Sequence, residues 1–428
     1  MNYNTQNNKI NSITEETLII GIDVGSETHY ARAFDWRNFE YTKKPLKFDN
    51  TEAGFLIFKT WVEELMEKHS KTTVIPGMEP TGHYWFSLGK FLQDNDMKPV
   101  HVNPYHVKKS KELDDNNPNK NDRKDPKTIA TLVNEGRFSY PYIPTGIYAE
   151  IRSLSNLRLQ TQEELTRIKN RIARWFSIYF PEYKDVYGDY TAISGRMVLK
   201  EASLPVDIVK LGVDGVNKIW RDAKLRGAGM KRAKTLVSAA EHSIGSKEAP
   251  EAARIELKNL LNDIDVYMTR HDGLIQLIEE KLKEIPYVDK LMAIKGIGLA
   301  TVSGFIAEVG DIGRFDNPKQ LQKLAGYAIV SNDSGKHNGK SHISYRGRKR
   351  LRYVLYEAAI SLIGKNAEFR EIHNYYRTRG VNPLKKMQSV IVVACKILRI
   401  FYTILTKGVD YDGEKLMKDI QRPQISVA

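Results

Sequence analysis

Two aspartates three positions apart, Asp122 and Asp125, lie in the basic stretch KNDRKDPKTIA at 120–130. Positions three apart share a helix face, so both carboxylates can serve one site. The simpler alternative is a helix start, with Asp125 as the N-cap, Pro126 as the first helical residue and the charges solvated. Proline also restricts the residue before it away from helical geometry, which weakens the shared face at Asp125.

Two further carboxylates lie at the ends of patterns typical of buried strands. Asp23 lies where the run TLIIGIDVG (17–25) approaches its final glycine, Gly25, and Glu79 ends the run TTVIPGME (72–79). Functional groups gather at the carboxyl ends of strands in sheets with helices on their faces. A single Asp at a strand end is more often a turn residue, so the prediction depends on all four carboxylates together.

Four carboxylates that converge on one edge repel each other unless a cation lies among them. Their hard oxygen atoms favour Mg²⁺ or Mn²⁺. Metals of this kind stabilise the attacking and leaving oxygens at phosphorus. The neighbouring Arg123, Lys124 and Lys127 would then contact the phosphates. The histidines of this region have no spacing that favours zinc, and we interpret them as ordinary polar or half-buried residues: His29, His83, His101 and His106.

The elements that must position these carboxylates form an α/β pattern over residues 17–147, after a polar tail at 1–16. HYARAFDW, YTKKPLKF and KPVHV are predicted strands, and residues 52–68 and the segment HYWFSLGKFLQD are predicted helices. Three strands, followed by helix and strand in alternation, predict a mixed sheet with helices packed on it.

Long helices are predicted for residues 148–285. Apolar residues recur every three or four positions from Leu154 to Tyr179 and again from Leu257 to Leu282. This spacing is typical of an antiparallel coiled-coil arm, and the core helices of a bundle are the alternative. The sequence leaves open whether residues 180–250 belong to the arm or form a separate RNA-binding insert.

A small helical domain is predicted for 286–407, before a second flexible tail at 408–428. Here Gly296-Ile297-Gly298 separates two apolar helical patterns, as in a helix-hairpin-helix or in a plain interhelical turn. Residues 334–352 contain seven Lys or Arg and no acidic residue, which favours phosphate contact. The predicted nucleic-acid contacts of this domain are Lys295, Gly296, Gly298, Lys336, Lys340, Arg346, Arg348, Lys349 and Arg350.

Composition indicates a globular protein with a polyanionic partner. The net charge is +14 and the pI is near 9.4, which most simply indicates nucleic acid. The one cysteine, Cys395, excludes an intrachain disulfide and is interpreted as a buried apolar residue in a reducing compartment. No signal peptide is visible, and the most apolar stretch, 389–405, is interrupted by Lys396 and Arg399, which argues against a membrane span. We therefore predict a cytoplasmic protein without a membrane partner.

Six sequence blocks resemble one family in the expected order. GIDVGSETHYARAFD, EPTGHYW and KNDRKDPKTIA are similar to the N-terminal blocks of the DEDD transposases of bacterial insertion sequences, the bridge-RNA-guided recombinases. IKGIGLATVSGFIAEVGDIGRF, QLQKLAGYAIVSNDSGK and ISYRGRKRLRYVLYEAA are similar to the C-terminal transposase domain of the same family. The chain departs from the family at Pro126, where the family usually has Ala.

The resemblance implies a fold and a mechanism. The fold is an RNase H-like, RuvC-like domain, a coiled-coil arm and a small helical C-terminal domain. The resemblance implies Mg²⁺ at Asp23, Glu79, Asp122 and Asp125, and a serine nucleophile at Ser334 that forms a transient phosphoserine link to DNA. It also implies a tetramer, as a dimer of dimers, on a structured guide RNA that pairs with donor and target DNA, with composite active sites.

Several alternatives stay open at this point. Ser331, Ser341 and Ser344 lie in the same basic segment as Ser334. A metal-dependent nuclease or junction resolvase would use water as the nucleophile instead of serine. A nucleic-acid-binding scaffold without catalysis fits the basic charge but leaves the carboxylates unexplained.

Overall fold

The computed structural model describes residues 3–114, 125–330, 333–334, 337–338, 341–418 and 420. The chain forms two compact units that divide between Ile143 and Pro144. The sequence places the end of the sheet domain at residue 147, and the further division of the second unit into arm and C-terminal domain stays a prediction.

A six-stranded mixed sheet organises the first unit, in the order β3-β2-β1-β4-β5-β6. β1 is antiparallel to β2 and parallel to β4, and β4 is parallel to β5. The strands are β1 (Thr17–Val24), β2 (Thr28–Phe34), β3 (Leu46–Asp49), β4 (Thr73–Met78), β5 (Val100–Val102) and β6 (Phe138–Ser139). The mixed sheet predicted from the sequence is confirmed.

Helices cover both faces of this sheet. They are α1 (Tyr3–Asn11), α2 (Glu52–Lys68), α3 (Trp85–Asp94), α4 (Pro104–Asp114) and α5 (Asp125–Asn134). Leu18, Ile20 and Ile22 of β1 pack with residues of α2 and α3, whereas Ile19 packs with residues of α5. Because successive strand residues point to opposite faces, β1 is buried on both sides and its sequence is continuously apolar. This architecture fits the RNase H-like domain that the resemblance implies.

Part of the predicted N-terminal tail is helical. Residues 3–11 form α1, and the Gln6 side-chain amide donates a hydrogen bond of 2.9 Å to the backbone carbonyl of Glu135. Lys9 also donates to the carbonyl of Phe138. These long-range contacts attach a polar segment that has no hydrophobic pattern of its own.

Two helices of more than 30 residues dominate the first part of the second unit. α6 (Gly146–Tyr179) and α11 (Pro250–Leu282) pack antiparallel, since Ile151 shares a core with Ile278 and the Trp175 indole N–H donates to the carbonyl of Ala253 at 3.0 Å. Between them lie α7 (Tyr183–Val186), α8 (Ile193–Glu201), α9 (Pro205–Asp222) and α10 (Met230–Glu241). These four helices share one hydrophobic core with the end of α6 and the start of α11.

The remainder of the second unit is mainly helical. Its helices are α12 (Val288–Met292), α13 (Leu299–Val309), α14 (Pro318–Leu324), α15 (Lys349–Lys365), α16 (Ala367–Thr378), α17 (Lys386–Lys407) and α18 (Gly413–Met417), with a 3₁₀ turn at Ile312–Arg314. Four two-residue strands lie between α14 and α15: β7 (Ile329–Val330), β8 (Asp333–Ser334), β9 (His337–Asn338) and β10 (His342–Ile343). α18 lies inside the predicted C-terminal tail.

Helix α17 corrects the argument against a membrane span. The helix extends beyond 389–405 to 22 residues, and by length and composition alone it could cross a membrane. Lys396 and Arg399 therefore do not by themselves exclude a span. However, 56% of its apolar window is buried, and Val393, Ile397 and Phe401 pack in the core with α15 and α16. α17 is therefore packed as a core helix of the second unit.

Candidate active site

Asp23 and Glu79 lie side by side at the carboxyl ends of two parallel strands. Ile22 of β1 is the register partner of Met78 of β4, so the residue that follows each is a predicted carboxylate. Neighbouring strands are about 4.8 Å apart. Both side chains are half-buried. The strand register therefore brings together two residues that are more than 50 positions apart in sequence.

Both carboxylates belong to the face of the sheet that α5 covers. A Cβ at Gly77 would lie 2.5 Å from Cγ2 of Val133, and a Cβ at Gly21 would lie 3.0 Å from the amide nitrogen of Ala130. The glycines thus mark the α5 side of β4 and β1. Asp23 and the position of Glu79 follow these glycines by two residues, which returns to the same face.

The first turn of α5 brings a third carboxylate to this edge. The backbone of Pro126 lies directly over Gly21, where only hydrogen fits, and Asp125 precedes it at the start of the helix. At the other end of α5, the Asn134 amide donates to the carbonyl of Asp35, which follows β2 at the amino end of β1. α5 therefore runs antiparallel to β1, with its N-terminus toward the strand ends that carry Asp23 and Glu79.

The helix start and the carboxylate site predicted at Asp125 are compatible, because α5 begins at Asp125 and Pro126 is buried in its first turn. Asp122, Arg123 and Lys124 lie outside the described residues, so three of the four predicted carboxylates have a described position. Lys127 is exposed in the first turn of α5. The positive end of the helix dipole adds to its charge and favours an anionic ligand here.

The donor atoms at this edge suit a hard divalent cation, since Asp23, Glu79 and Asp125 offer only oxygen. In the part of the chain that the structure describes, no group of three His, Cys, Asp or Glu side chains is arranged to hold a metal. His101 contributes nothing on this face: it pairs with Met78, packs edge-on against Trp85 at 4.2 Å, and burial lowers its pKa to about 4. Any cation at this edge therefore depends on carboxylates.

The predicted serine lies in the second unit, in a segment of paired short strands. β7 pairs with β10, and within that pair β8 pairs with β9, where Ser334 is the register partner of His337. Ser331, Lys336 and Lys340 lie outside the described residues. Ser341 is exposed, whereas the Ser344 hydroxyl donates to the carbonyl of Gly326 at 3.3 Å. A structural hydrogen bond thus occupies Ser344.

The basic residues after this segment divide into two kinds. Arg346 and Lys349 are exposed. Arg348 lies 3.4 Å from a carboxylate oxygen of Glu308, and Arg350 lies 3.7 Å from the other. Arg350 also donates to the carbonyl of Ser155 at 2.8 Å, and burial lowers its pKa. Arg348 and Arg350 therefore connect α15 to α13 and α6, and of these four described residues Arg346 and Lys349 are the ones whose exposed charge is available to a ligand.

The Gly296-Ile297-Gly298 turn connects α12 to α13. Gly296 has a φ of 104°, which favours glycine, and its carbonyl accepts a hydrogen bond of 2.7 Å from Ser361. Gly298 precedes the first turn of α13 and is exposed, as is Lys295. Ile297 is buried, as expected of a turn that also contributes to the core.

Sequence reasoning missed Gly21 and Gly77, the two residues that allow α5 to reach the sheet. A glycine inside an apolar strand often marks close backbone approach, so the signal was present in GIDV and IPGM. These two glycines let α5 pack against the sheet and so determine where Asp125 lies.

Comparison with known proteins agrees with this architecture. A family model described as a transposase of the DEDD IS110 type matches residues 20–181, a range that contains all three placed carboxylates. A second model, described as the transposase IS116/IS110/IS902 family, matches residues 288–376, which contain Ser334. Together the two matches cover more than half of the chain.

Full-length relatives show the same relationship. The chain is 24% identical over 399 residues to an uncharacterized 44.8 kDa protein of insertion element IS116 from Streptomyces clavuligerus, covering 92% of this chain and 96% of that protein. It is 23% identical over 410 residues to the transposase for insertion sequence element IS1111A of Coxiella burnetii, covering 93% and 92%. The chain belongs to the IS116/IS110/IS902 family of insertion-sequence transposases.

Proposed function

We propose that this transposase cuts and rejoins DNA strands with the carboxylates Asp23, Glu79, Asp122 and Asp125 and with the hydroxyl of Ser334. The observation that carries the proposal is the convergence of Asp23, Glu79 and the start of α5 at one edge of the sheet. Two strands and a helix from three separate parts of the sequence bring acidic residues to one edge of the sheet. Acidic residues that served only as turn residues would have no reason to lie together.

Mg²⁺ or Mn²⁺ bound by these carboxylates would stabilise the attacking and leaving oxygens at the DNA phosphate. The protein residues would position the metal ligands and bind the phosphate. Asp23 on β1 and Glu79 directly after β4 would hold their carboxylate oxygens at the edge of the sheet, and the N-terminus of α5 with Lys127 would attract the phosphate. Asp122 is proposed as the fourth ligand, with Arg123 and Lys124 as phosphate contacts beside it.

Ser334 is proposed as the nucleophile. Its Oγ forms a bond to phosphorus while one phosphorus–oxygen bond of the DNA backbone breaks. The serine proton leaves to a base, and the departing deoxyribose oxygen takes up a proton. Because the phosphoserine ester retains a phosphoester bond, a second DNA hydroxyl can attack it and rejoin the strand without another energy source.

The carboxylates belong to the first unit and Ser334 to the second. From the resemblance we propose a composite site, in which one subunit's carboxylates serve the serine of another within a tetramer arranged as a dimer of dimers. The long helices α6 and α11 are proposed as the coiled-coil arm of this assembly. Lys295, Gly296 and Gly298 are proposed as a helix-hairpin-helix contact to the DNA backbone.

A structured guide RNA that pairs with donor and target DNA is proposed to select the sites. Under this proposal the protein contacts backbone and shape, and base pairing reads sequence. The exposed Arg346 and Lys349, together with Lys336 and Lys340, are the proposed phosphate contacts near Ser334. The net charge of +14 supports a large nucleic-acid surface.

Covalent trapping tests the proposal. Full-length protein is incubated with Mg²⁺, its associated RNA and DNA carrying the element's ends, then denatured and analysed for a protein–DNA adduct by gel shift and peptide mass spectrometry. We expect an adduct on Ser334 that Ser334→Ala and Asp23→Asn both abolish. Ser341→Ala is the matched control, because Ser341 is an exposed serine of the same segment, and it should leave the adduct intact.

A nuclease that uses water is the second candidate, because the three placed carboxylates all belong to the first unit. Metal-dependent cleavage by Ser334→Ala without any adduct would favour this alternative. An adduct on Ser341 or Ser344 would keep the covalent mechanism and correct the residue. Absence of both cleavage and adduct under all metal conditions would refute the carboxylate site.

A further inference from the structure

The end of the α9–α10 helical hairpin carries a dense cluster of positive charge that the proposed chemistry does not use. We define this basic hairpin as residues 218–234, which comprise the end of α9, the connection to α10 and the first turns of α10. It contains seven basic residues and one acidic residue, Asp222. The basic residues are Lys218, Arg221, Lys224, Arg226, Lys231, Arg232 and Lys234.

These charges face solvent. All seven side chains are exposed, and within the described part of the chain none of them forms an ion pair. Arg232 lies over the ring of Tyr187, 5.4 Å from its centroid, which orients the side chain without neutralising it. Like charges held close together repel, so this cluster costs stability unless an anionic partner neutralises it.

Backbone geometry adds to the positive potential. α10 begins after Gly229, with no acidic residue in its first turn and no side chain that caps it. The positive end of its dipole therefore points at a cleft lined by Gly227, Gly229, Lys231 and Arg232. Gly227 has a φ of 82° and open space where a Cβ would be, so a ligand can approach the main chain there. One carboxylate, Asp185, also lines this cleft.

Residues 218–234, all of which the structure describes, include no exposed aromatic side chain on which a base could stack. Trp220 of the hairpin and Tyr187 beneath Arg232 are buried, with 0% and 3% of their surface exposed. Single-stranded nucleic acid is usually bound by exposed aromatic side chains on which bases stack. Flexible Lys and Arg side chains without such a platform suit the regularly spaced phosphates of a duplex.

From this arrangement we infer that the basic hairpin binds the phosphate backbone of duplex DNA without sequence preference. The inference rests on the DNA substrate of the family and is independent of the serine mechanism. It gives residues 180–250 a role as a DNA clamp on the end of the long helices, because α9 and α10 share the core of α6 and α11.

The salt dependence of DNA binding tests this inference. Binding of the full-length protein to a 40-base-pair duplex of unrelated sequence is measured by fluorescence anisotropy over a range of KCl concentrations. The variant combines Arg226→Gln, Lys231→Gln and Lys234→Gln, which removes three exposed charges. The slope of log affinity against log salt should become shallower by about 1 for each lost phosphate contact, so by up to about 3.

A matched control removes three exposed lysines outside the hairpin: Lys247→Gln, Lys258→Gln and Lys283→Gln. It should leave the slope unchanged, and both variants should keep the melting temperature of the wild type. An unchanged slope in the hairpin variant overturns the inference. A slope change with a structured RNA but not with duplex DNA also overturns it, and would make the hairpin an RNA surface. Adduct formation on Ser334 is scored separately, so failure of one proposal does not imply failure of the other.

Discussion

Substitution of Gly21 by alanine tests the packing that positions the candidate site. A Cβ at residue 21 would lie 2.7 Å from the carbonyl carbon of Pro126 and 3.0 Å from the amide nitrogen of Ala130, with the Pro126 oxygen closer still. Carbon atoms in contact are about 3.5–4.0 Å apart. The first turn of α5 must therefore retreat by about 1 Å, because the obstructing atoms belong to its backbone and cannot rotate away.

The expected cost follows from this overlap. Overpacking a tight core usually costs about 1–3 kcal/mol, against which the better strand propensity of alanine returns roughly 0.5–1 kcal/mol. We expect a net loss of about 1–2 kcal/mol in the first unit. Because a displacement of about 1 Å at a catalytic group can reduce the rate about 100-fold, Asp125 should lose most of its contribution to strand cleavage.

The assay combines hydrogen–deuterium exchange of α5 with metal-dependent cleavage. Gly21→Ala should speed exchange in residues 125–134 and reduce cleavage about 100-fold. Gly77→Ala should be milder, because its new Cβ meets the side chain of Val133, which can shift. Gly188→Ala, which has open space around it, is the control and should change neither. Wild-type exchange and cleavage in Gly21→Ala would refute the close approach of α5 to β1.

Three further outcomes follow from buried or paired groups. Burial lowers the pKa of His101 from 6.5 to about 4, so between these pH values the unfolded chain binds a proton that the folded chain does not. The stability of the fold should therefore fall as the pH drops from about 6.5 to 4. His101→Gln should flatten this dependence when melting temperature is measured against pH. Burial raises the pKa of the Cys395 thiol from 9.0 to about 11, so iodoacetamide at pH 8 should alkylate it about 100-fold more slowly than in urea-unfolded protein, and equal rates would contradict its burial. Glu308→Gln leaves Arg348 and Arg350 without their carboxylate and should cost about 1–3 kcal/mol, measured as a lower urea midpoint.

Periodic segments could be predicted from the sequence because burial imposes the pattern directly. The continuous apolar run of β1 reflects burial on both faces, and the three- and four-residue spacing from Leu154 to Tyr179 reflects one buried face of α6. Asp23 and Glu79 could be found because each lies at the carboxyl end of an apolar strand run. Their adjacency required a further step, the parallel pairing of β1 with β4, which the alternation of helix and strand suggests.

Features that depend on distant partners could not be predicted in this way. Arg350 reads as one more charge in a basic stretch, but its hydrogen-bond partner Ser155 is 195 positions away in sequence. α1 has no apolar periodicity, and its attachment depends on backbone carbonyls near residue 135. Cys395 is half-buried and not fully buried as expected. The sequence predicts the helix that carries Cys395, but it does not predict how that helix is rotated relative to the core. The basic hairpin is one contiguous stretch with seven basic residues and one acidic residue, so its charge density was visible in the sequence, and only the exposure of all seven side chains depends on the fold.

The position of Asp125 shows how one packing contact connects the fold to the proposed chemistry. Proline after Asp125 restricts the local backbone, which by itself argues against this carboxylate. In the folded unit, however, the backbone of Pro126 fits over the hydrogen of Gly21, which lies two residues before Asp23. The restricted backbone of Pro126 therefore helps to hold the start of α5 against β1. A change of Pro126 to alanine should then preserve the site as long as Gly21 remains, whereas a side chain at residue 21 should disturb it whichever residue follows Asp125.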